Sequence, residues 1–229
     1  NWTLLYERIT TGGYMDIEQM PDGRLNVCSS DGDHLTSTDN GATWTNYTTS
    51  PSDELRSPLE TMHFGTGNVA WAASHDNIWL RSQDHGVTWE HFENAPDIDD
   101  TNIIEFYNES FGLAGGYVFP GQSLMYRTTD GGDTWTGHYF TGSYVGYPRD
   151  TAILSESVSY VVCWGGDDVN HVFRSDDGGV TWVEKNNGLP GNVPLFTIHF
   201  LDENTGYVAG GKFMAPNNLW FTTDGGDSW

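Results

Sequence analysis

The stretch Ser37–Trp44 reads STDNGATW, and four close copies of it follow along the chain. Successive copies begin 45, 46, 47 and 47 residues apart. Each copy has a hydroxyl residue first, Asp third, Gly fifth, a hydroxyl residue seventh and Trp eighth. A constant period in this range indicates a repeat fold in which every repeat is one supersecondary unit. The later copies are Ser82–Trp89 (SQDHGVTW), Thr128–Trp135 (TTDGGDTW), Ser175–Trp182 (SDDGGVTW) and Thr222–Trp229 (TTDGGDSW).

Short apolar segments separate the copies of this motif. In the last repeat they are Thr197–Asp202, Gly206–Gly211 and Asn218–Thr223, and the turn DGGDSW then leads toward a fourth segment. Segments of this length, joined by Gly, Asn and Asp, are predicted to be strands connected by tight turns. Because no stretch shows a helical period, four short strands per repeat are expected, which is typical of a β-propeller blade.

The sequence therefore predicts an all-β fold, a β-propeller of four-stranded antiparallel blades. Five blades closed by the N-terminal strand, Asn1–Ile9, are expected, and five blades cut from a larger propeller are the alternative. Closure would remove exposed sheet edges. One domain is predicted over residues 1–229, with repeat units 2–44, 45–89, 90–135, 136–182 and 183–229.

The eight-residue motif resembles the Asp-box, also called the BNR repeat. The blades resemble those of sialidase-like and photosystem II assembly-factor-like propellers, without the catalytic motifs. The resemblance implies that the box joins the third and fourth strands, on the face opposite the usual ligand site. In the structural interpretation, the Asp accepts backbone amides, the Gly supplies a positive φ and the Trp ring is buried. These residues are Asp39, Gly41, Trp44, Asp84, Gly86, Trp89, Asp130, Gly132, Trp135, Asp177, Gly179, Trp182, Asp224, Gly226 and Trp229.

The charge of the chain limits its partners. It carries 32 acidic and 9 basic side chains, a net charge of −23. Such a surface repels nucleic-acid phosphates and anionic membrane surfaces, and no apolar run reaches the length of a membrane span. Neither nucleic-acid binding nor membrane insertion is predicted. The composition favours a location outside the cell or on the surface of a cell or virion.

The two cysteines, Cys28 and Cys163, fall at similar small-residue positions in repeats one and four. Those repeats are not neighbours in a five-blade ring, whereas the Cα atoms of a disulfide lie within about 7 Å. Two buried free thiols are therefore predicted. No zinc-type ligand spacing is present, and neither a metal nor a cofactor is expected.

One position of each first strand is predicted to face a central channel. An ion site is one interpretation, since histidines and carboxylates are ordinary metal ligands. A hydrated wall in which His pairs with Glu is preferred, because no ligand spacing supports a site. The equivalent residues are Glu18, His63, Glu105, Ala152 and His199.

Catalysis must be considered, because the Asp-box resemblance implies sialidases among the relatives. Sialidase-like sites clamp a carboxylate with clustered arginines and carry an Arg-Ile-Pro motif; the nearest string here, Tyr147–Asp150 (YPRD), does not match. Arg81, Arg127 and Arg174 recur at one repeat position, which indicates packing rather than a clamp. No acidic pair of the xyloglucanase type stands out either. No catalytic residue is predicted, and a sialidase- or xyloglucanase-like glycoside hydrolase is the alternative.

Long aromatic loops join the repeats and connect their second and third strands. They favour a non-catalytic recognition or scaffold propeller that binds a glycan or protein partner, in an adhesin or a phage or virion structure. A purely architectural subunit of a larger assembly is a further alternative. Such side chains are suited to stacking or anchoring, and ordinary loop packing is the competing interpretation for each. The candidate binding residues are Arg56, Tyr117, Phe119, Tyr144, Tyr147, Arg149, Trp164, Asp167 and Asp168.

Overall fold

The computed structural model of the chain describes residues 13–20, 22–29, 33–48, 59–65, 67–74, 77–118, 122–140, 146–165, 170–191, 193–211 and 217–229. The chain divides into two compact units, Asn1–Ala95 and Pro96–Trp229. Over the described ranges, no helix has the length and apolarity needed to cross a membrane.

The first unit contains two four-stranded antiparallel sheets. Their strands are β1 (Tyr14–Gln19), β2 (Leu25–Ser29), β3 (Asp33–Ser37), β4 (Thr45–Thr48), β5 (Leu59–Phe64), β6 (Ala70–Ser74), β7 (Trp79–Ser82) and β8 (Glu90–His91). Each strand pairs with its neighbour in sequence, so that the sheet orders are β1-β2-β3-β4 and β5-β6-β7-β8. Each sheet takes its first three strands from one predicted repeat unit, whereas its fourth strand, β4 or β8, lies at the start of the next predicted unit.

The second unit contains three sheets built in the same way. Their strands are β9 (Asp100–Phe106), β10 (Gly112–Val118), β11 (Gln122–Thr128), β12 (Thr136–Tyr139), β13 (Tyr147–Ile153), β14 (Ser159–Trp164), β15 (Asn170–Ser175), β16 (Val183–Glu184), β17 (Leu195–Phe200), β18 (Gly206–Gly211) and β19 (Asn217–Thr222). The orders are β12-β11-β10-β9, β13-β14-β15-β16 and β17-β18-β19.

These sheets confirm an all-β fold of antiparallel sheets, four of them with four strands. In the part of the chain that the structure describes, the last sheet has three strands. Asn1–Ile9, which is predicted to close the propeller, lies outside the described residues. Closure and the number of blades stay predictions.

The observed and predicted strands of the last repeat differ most at the first strand. β17 covers Leu195–Phe200 rather than Thr197–Asp202, whereas β18 matches its prediction. Asp202 Oδ1 accepts the backbone N–H groups of Asn204 and Thr205, both at 2.8 Å. The strand therefore ends at Phe200, two residues before its predicted end. The Asp202 side chain accepts the N–H groups of the next residues, which would otherwise bond to a neighbouring strand.

Apolar side chains fill the space between consecutive sheets of the second unit. Successive residues of a strand face opposite sides, and the sheet β13–β16 is covered on both. Val161 and Phe173 pack with Met125 of the preceding sheet. Tyr160, on the other face, stacks on Phe200 of the following sheet with ring centroids 3.7 Å apart. The corresponding cluster of the first unit comprises Met20, Cys28, Leu59, Met62, Phe64, Ala70, Ala72, Leu80 and Trp89.

Both cysteines are buried and free, as predicted. They do not occupy equivalent register positions. Cys28 pairs with Asp16 and Cys163 with Pro148, on opposite sides of an irregularity that both first strands carry. Burial raises the pKa of the Cys28 thiol to about 12 and that of Cys163 well above its usual value. Both therefore behave as small apolar side chains.

Each copy of the turn motif has the same internal hydrogen bonds. In the first copy, Asp39 accepts the Thr43 N–H at 2.8 Å and the Thr43 hydroxyl at 2.6 Å. Ser37 Oγ accepts the Gly41 N–H at 2.8 Å. The hydroxyl bond from Thr43, followed by the backbone bond, lowers the pKa of Asp39 below its ordinary value. The same bonds surround Asp84, Asp130, Asp177 and Asp224.

The fifth residue of every motif has a positive φ, between 80° and 90°, which glycine adopts without steric cost. The tryptophans are less uniform. Trp89 and Trp182 are buried, as predicted for every ring, whereas Trp44, Trp135 and Trp229 are half-buried. Trp182 lies inside the cluster between two sheets, while Trp135 contacts the edge of Phe106 at 5.8 Å.

Every first strand carries a β-bulge at the same place, where one residue has no partner in the pairing with the second strand. A bulge re-aims its side chain and is common beside functional sites. It lies at the opposite end of each sheet from the turn motif: in the β13–β16 sheet, Pro148 pairs with Cys163 at the bulge, whereas Ile153 pairs with Ser159 beside the motif. We call this place the bulge position. It is occupied by Met15, Glu60, Asn102, Arg149 and Phe196.

Candidate functional site

Four predicted binding residues meet at the bulge end of the second unit. Tyr117 stacks on Tyr147, with ring centroids 4.7 Å apart and planes 25° apart. Trp164 lies 6.4 Å from Tyr147 on a tilted plane. The guanidinium carbon of Arg149 is 5.5 Å from the Tyr147 ring centroid and 5.2 Å from that of Trp164. Together with Phe196, whose ring is 6.4 Å from Trp164, they form what we call the aromatic–arginine cluster.

Phe196 was not among the residues that the sequence pointed to. The predicted binding residues belong to segments expected to be long loops, whereas Phe196 lies in strand β17, where an apolar residue is ordinarily assigned to the core. Its side chain is nevertheless 48% exposed. Phe196 can be recognised from its place at the bulge position, where it is the equivalent of Arg149 one repeat later.

Strand ends bring the cluster together. Tyr147 and Trp164 are register partners at the ends of β13 and β14, and Tyr117 lies near the end of β10 in the adjoining sheet. The chain enters β13 through Gly146, which has a φ of 78°. A Cβ there would overlap the Trp164 carbonyl group, so glycine is required for this close approach.

Asp150 links the bulges of β13 and β17. Its Oδ2 atom accepts the Thr197 hydroxyl at 2.6 Å and the Ile198 N–H at 2.9 Å. Burial raises the pKa of Asp150 above its ordinary value, although these bonds act in the opposite direction. The carboxyl group therefore holds together the two strands that carry Arg149 and Phe196.

The cluster combines apolar faces with a planar set of donors. A guanidinium over an aromatic ring gains about 0.5–2 kcal/mol, depending on its exposure. A stacked guanidinium keeps its N–H groups in the plane of the fork, which matches a carboxylate or carbonyl oxygen. Tyr117 and Phe196 extend the apolar surface to either side of Arg149. The arrangement suits a ligand that presents an oxygen acceptor beside an apolar group.

The remaining predicted binding residues lie outside the described residues. They belong to the segments 49–58, 119–121, 141–145 and 166–169. Their part in binding stays a prediction. They are Arg56, Phe119, Tyr144, Asp167 and Asp168.

Two of the predicted channel-facing residues form a pair in the first unit. Glu18 Oε1 lies 3.3 Å from His63 Nδ1, and Glu18 Oε2 accepts the Phe64 N–H at 2.6 Å. Burial raises the pKa of Glu18 to about 7 and lowers that of His63 to about 4. Both residues are therefore held toward their neutral forms, as expected for a buried His–Glu pair rather than an ionic one.

The predicted channel positions of the second unit differ from one another. Ala152 is buried in the core with Ile198, whereas His199 is exposed and Glu105 is half-buried. Among the residues that the structure describes, no group of three or more His, Cys, Asp or Glu side chains is placed to hold a metal ion.

Solved structures with a similar fold include both binding proteins and enzymes. YCF48 bound to D1 peptide is similar with a TM-score of 0.60 and 17% identity, over 96% of this chain and 81% of that one. The GH74 enzyme of Niastella koreensis is similar with a TM-score of 0.67 and 17% identity, over 91% of this chain and 36% of the enzyme. A polysaccharide lyase, the PL25 ulvan lyase, has a TM-score of 0.53 and 14% identity, over 93% of this chain and 65% of the lyase.

No protein-family model and no curated protein sequence matches the chain. At these identities, the structural likeness shows the fold alone, an all-β arrangement of the β-propeller kind. The chain spans about a third of the GH74 enzyme and about two thirds of the lyase.

Proposed function

We propose that this protein is a non-catalytic recognition propeller that binds a segment of a partner protein at the aromatic–arginine cluster. The observation that carries the proposal is the continuous contact of Tyr117, Tyr147, Arg149 and Trp164 at the ends of neighbouring strands. Tyr, Trp and Arg are the residue types most enriched among the energetic hot spots of protein interfaces. Because their positions are fixed by strands, they require little ordering on binding.

The similarity to YCF48 bound to D1 peptide supports a protein segment as the partner, since that structure holds a peptide on a comparable fold. A net charge of −23 disfavours a polyanionic partner. A glycan that stacks on the same rings is the second partner class compatible with the cluster.

The absence of catalysis is part of the proposal. The carboxyl groups of the turn motifs are engaged in their own turns. Glu18 and Asp150, whose pKa values burial raises, accept backbone N–H groups of the fold. We further propose five blades closed by Asn1–Ile9, and a location outside the cell or on the surface of a cell or virion.

Peptide and glycan arrays probed side by side test the proposal, with released sugar measured on the glycan array. We expect the protein to bind peptides, and Trp164→Ala and Tyr147→Ala to abolish that binding. Tyr139→Ala, which truncates a 60% exposed ring outside the cluster, is the matched control and is expected to bind normally. Sugar release would overturn the non-catalytic proposal, and glycan binding without peptide binding would overturn the proposed partner class.

A further inference from the structure

The bulge position differs chemically in every repeat, whereas the turn motif at the other end of the sheets is nearly constant. Its five residues carry a thioether, a carboxylate, an amide, a guanidinium and a phenyl ring. In the second unit they are Asn102, Arg149 and Phe196, on β9, β13 and β17. Strand β13 contacts both β9 and β17, so the three bulges belong to neighbouring sheets.

Two of these three side chains already belong to the aromatic–arginine cluster. Arg149 lies over Tyr147 and Trp164, and Phe196 contacts Trp164. Asp150 fixes β17 to β13 directly beside both bulges. The spacing of the two bulged side chains is therefore set by a hydrogen-bonded link between strands rather than by a loop.

Asn102 is not explained by the local structure. Its Nδ2 group is buried and has no hydrogen-bond partner in the described part of the chain. A buried donor without a partner disfavours folding, and such groups in native proteins call for an explanation. The register places Asn102 opposite the step from Gly115 to Gly116.

From these observations we infer that Asn102, Arg149 and Phe196 are specificity-determining residues, each contacting a successive part of an extended polypeptide segment. Phe196 packs against an apolar side chain of the segment. Arg149 binds a carboxylate, for which its fork is geometrically matched. Asn102 pairs with a peptide group, since its amide both donates and accepts. The inference rests on the proposed function and adds to it the chemistry that the partner presents.

Selection from a random peptide display library tests this assignment. The wild type, Asn102→Ala, Arg149→Ala and Phe196→Ala are each used as bait, and Leu201→Ala, at a 64% exposed site of the same unit, is the matched control. We expect the wild type and the control to enrich peptides with an acidic residue beside an apolar one. Arg149→Ala is expected to lose the acidic preference and Phe196→Ala the apolar one. A peptide selected with the wild type is expected to bind Arg149→Ala and Phe196→Ala about tenfold or more weakly than it binds the wild type.

A second variant separates loss of recognition from loss of structure. Arg149→Lys keeps the charge but not the planar fork, and is expected to recover only part of the affinity. All variants are compared by circular dichroism and thermal unfolding. Enrichment that is lost in Trp164→Ala but unchanged in the three bulge variants would overturn the assignment and leave the proposed function standing. Failure of the wild type to enrich any peptide would overturn both.

Discussion

Replacing Glu18 by Gln is expected to stabilise the protein at neutral and alkaline pH. Glu18 accepts the Phe64 N–H at 2.6 Å and lies 3.3 Å from His63 Nδ1, and burial raises its pKa from 4.5 to about 7. A glutamine can keep the acceptor oxygen for Phe64 while it removes the charge that burial penalises. The change therefore isolates the cost of ionising this buried carboxyl group.

The size and sign of the effect follow from proton linkage. Because the folded pKa lies above the unfolded one, the contribution of Glu18 to stability is fully present below about pH 4.5. It is lost as the pH rises through about 7. That difference corresponds to at most about 3 kcal/mol. Since 27% of the side chain is exposed, screening reduces it, and we expect a gain of about 1–3 kcal/mol for the variant at alkaline pH.

Urea unfolding at constant ionic strength measures the effect between about pH 4 and pH 8. The difference in free energy of unfolding, Glu18→Gln minus wild type, is expected to be near zero at the acidic end and to rise to a plateau above about pH 7. Glu90→Gln, at an exposed position of the same unit, is the control and is expected to show no such rise. A difference that is independent of pH, or that falls as the pH rises, would refute the reasoning.

Three further predictions concern packing. Tyr160→Phe removes a hydroxyl that donates to two backbone carbonyl groups and accepts from a guanidinium; the free energy of unfolding is expected to fall by about 1–3 kcal/mol, and an unchanged urea midpoint would contradict this role. Gly210→Ala places a Cβ against a backbone carbonyl group and is expected to destabilise by about 1–3 kcal/mol, whereas Gly191→Ala, which meets open space, is expected to be neutral by the same measurement. Cys28 and Cys163 are expected to resist a thiol reagent in the folded protein and to react once it is unfolded, and rapid labelling of the native state would contradict their burial.

The repeat pattern was sufficient to predict the sheets, because the turn chemistry is local. Asp39 and Thr43 close their turn with contacts that lie within eight residues of sequence, so their spacing alone carries the information. The end of β17 was misplaced because Asp202 forms a turn that the apolar pattern does not register. Local chemistry is readable from one sequence when its partners are close along the chain.

The candidate site was predicted in part, for a different reason. Tyr117, Tyr147 and Trp164 are predicted from their aromatic side chains in segments expected to be long loops, whereas the structure places them at the ends of β10, β13 and β14. The sequence does not predict Phe196 as a site residue, because its position depends on a bulge. A bulge is a relation between two paired strands and not a property of either strand alone. The sequence does not predict the contribution of Asp150 either, because its hydrogen-bond donors lie in the next repeat, 47 and 48 residues away.

The bulges and the turn motifs lie at opposite ends of the sheets, so the protein has two separate sets of residues. The turn-motif residues close the turn of each repeat, whereas the bulge residues lie outside those turns. Side chains could therefore be exchanged between repeats at Asn102, Arg149 and Phe196, or randomised there together, while the strands and their turns remain as they are. Such a chain is a scaffold for combinatorial binders whose variable positions are supplied by strands instead of loops.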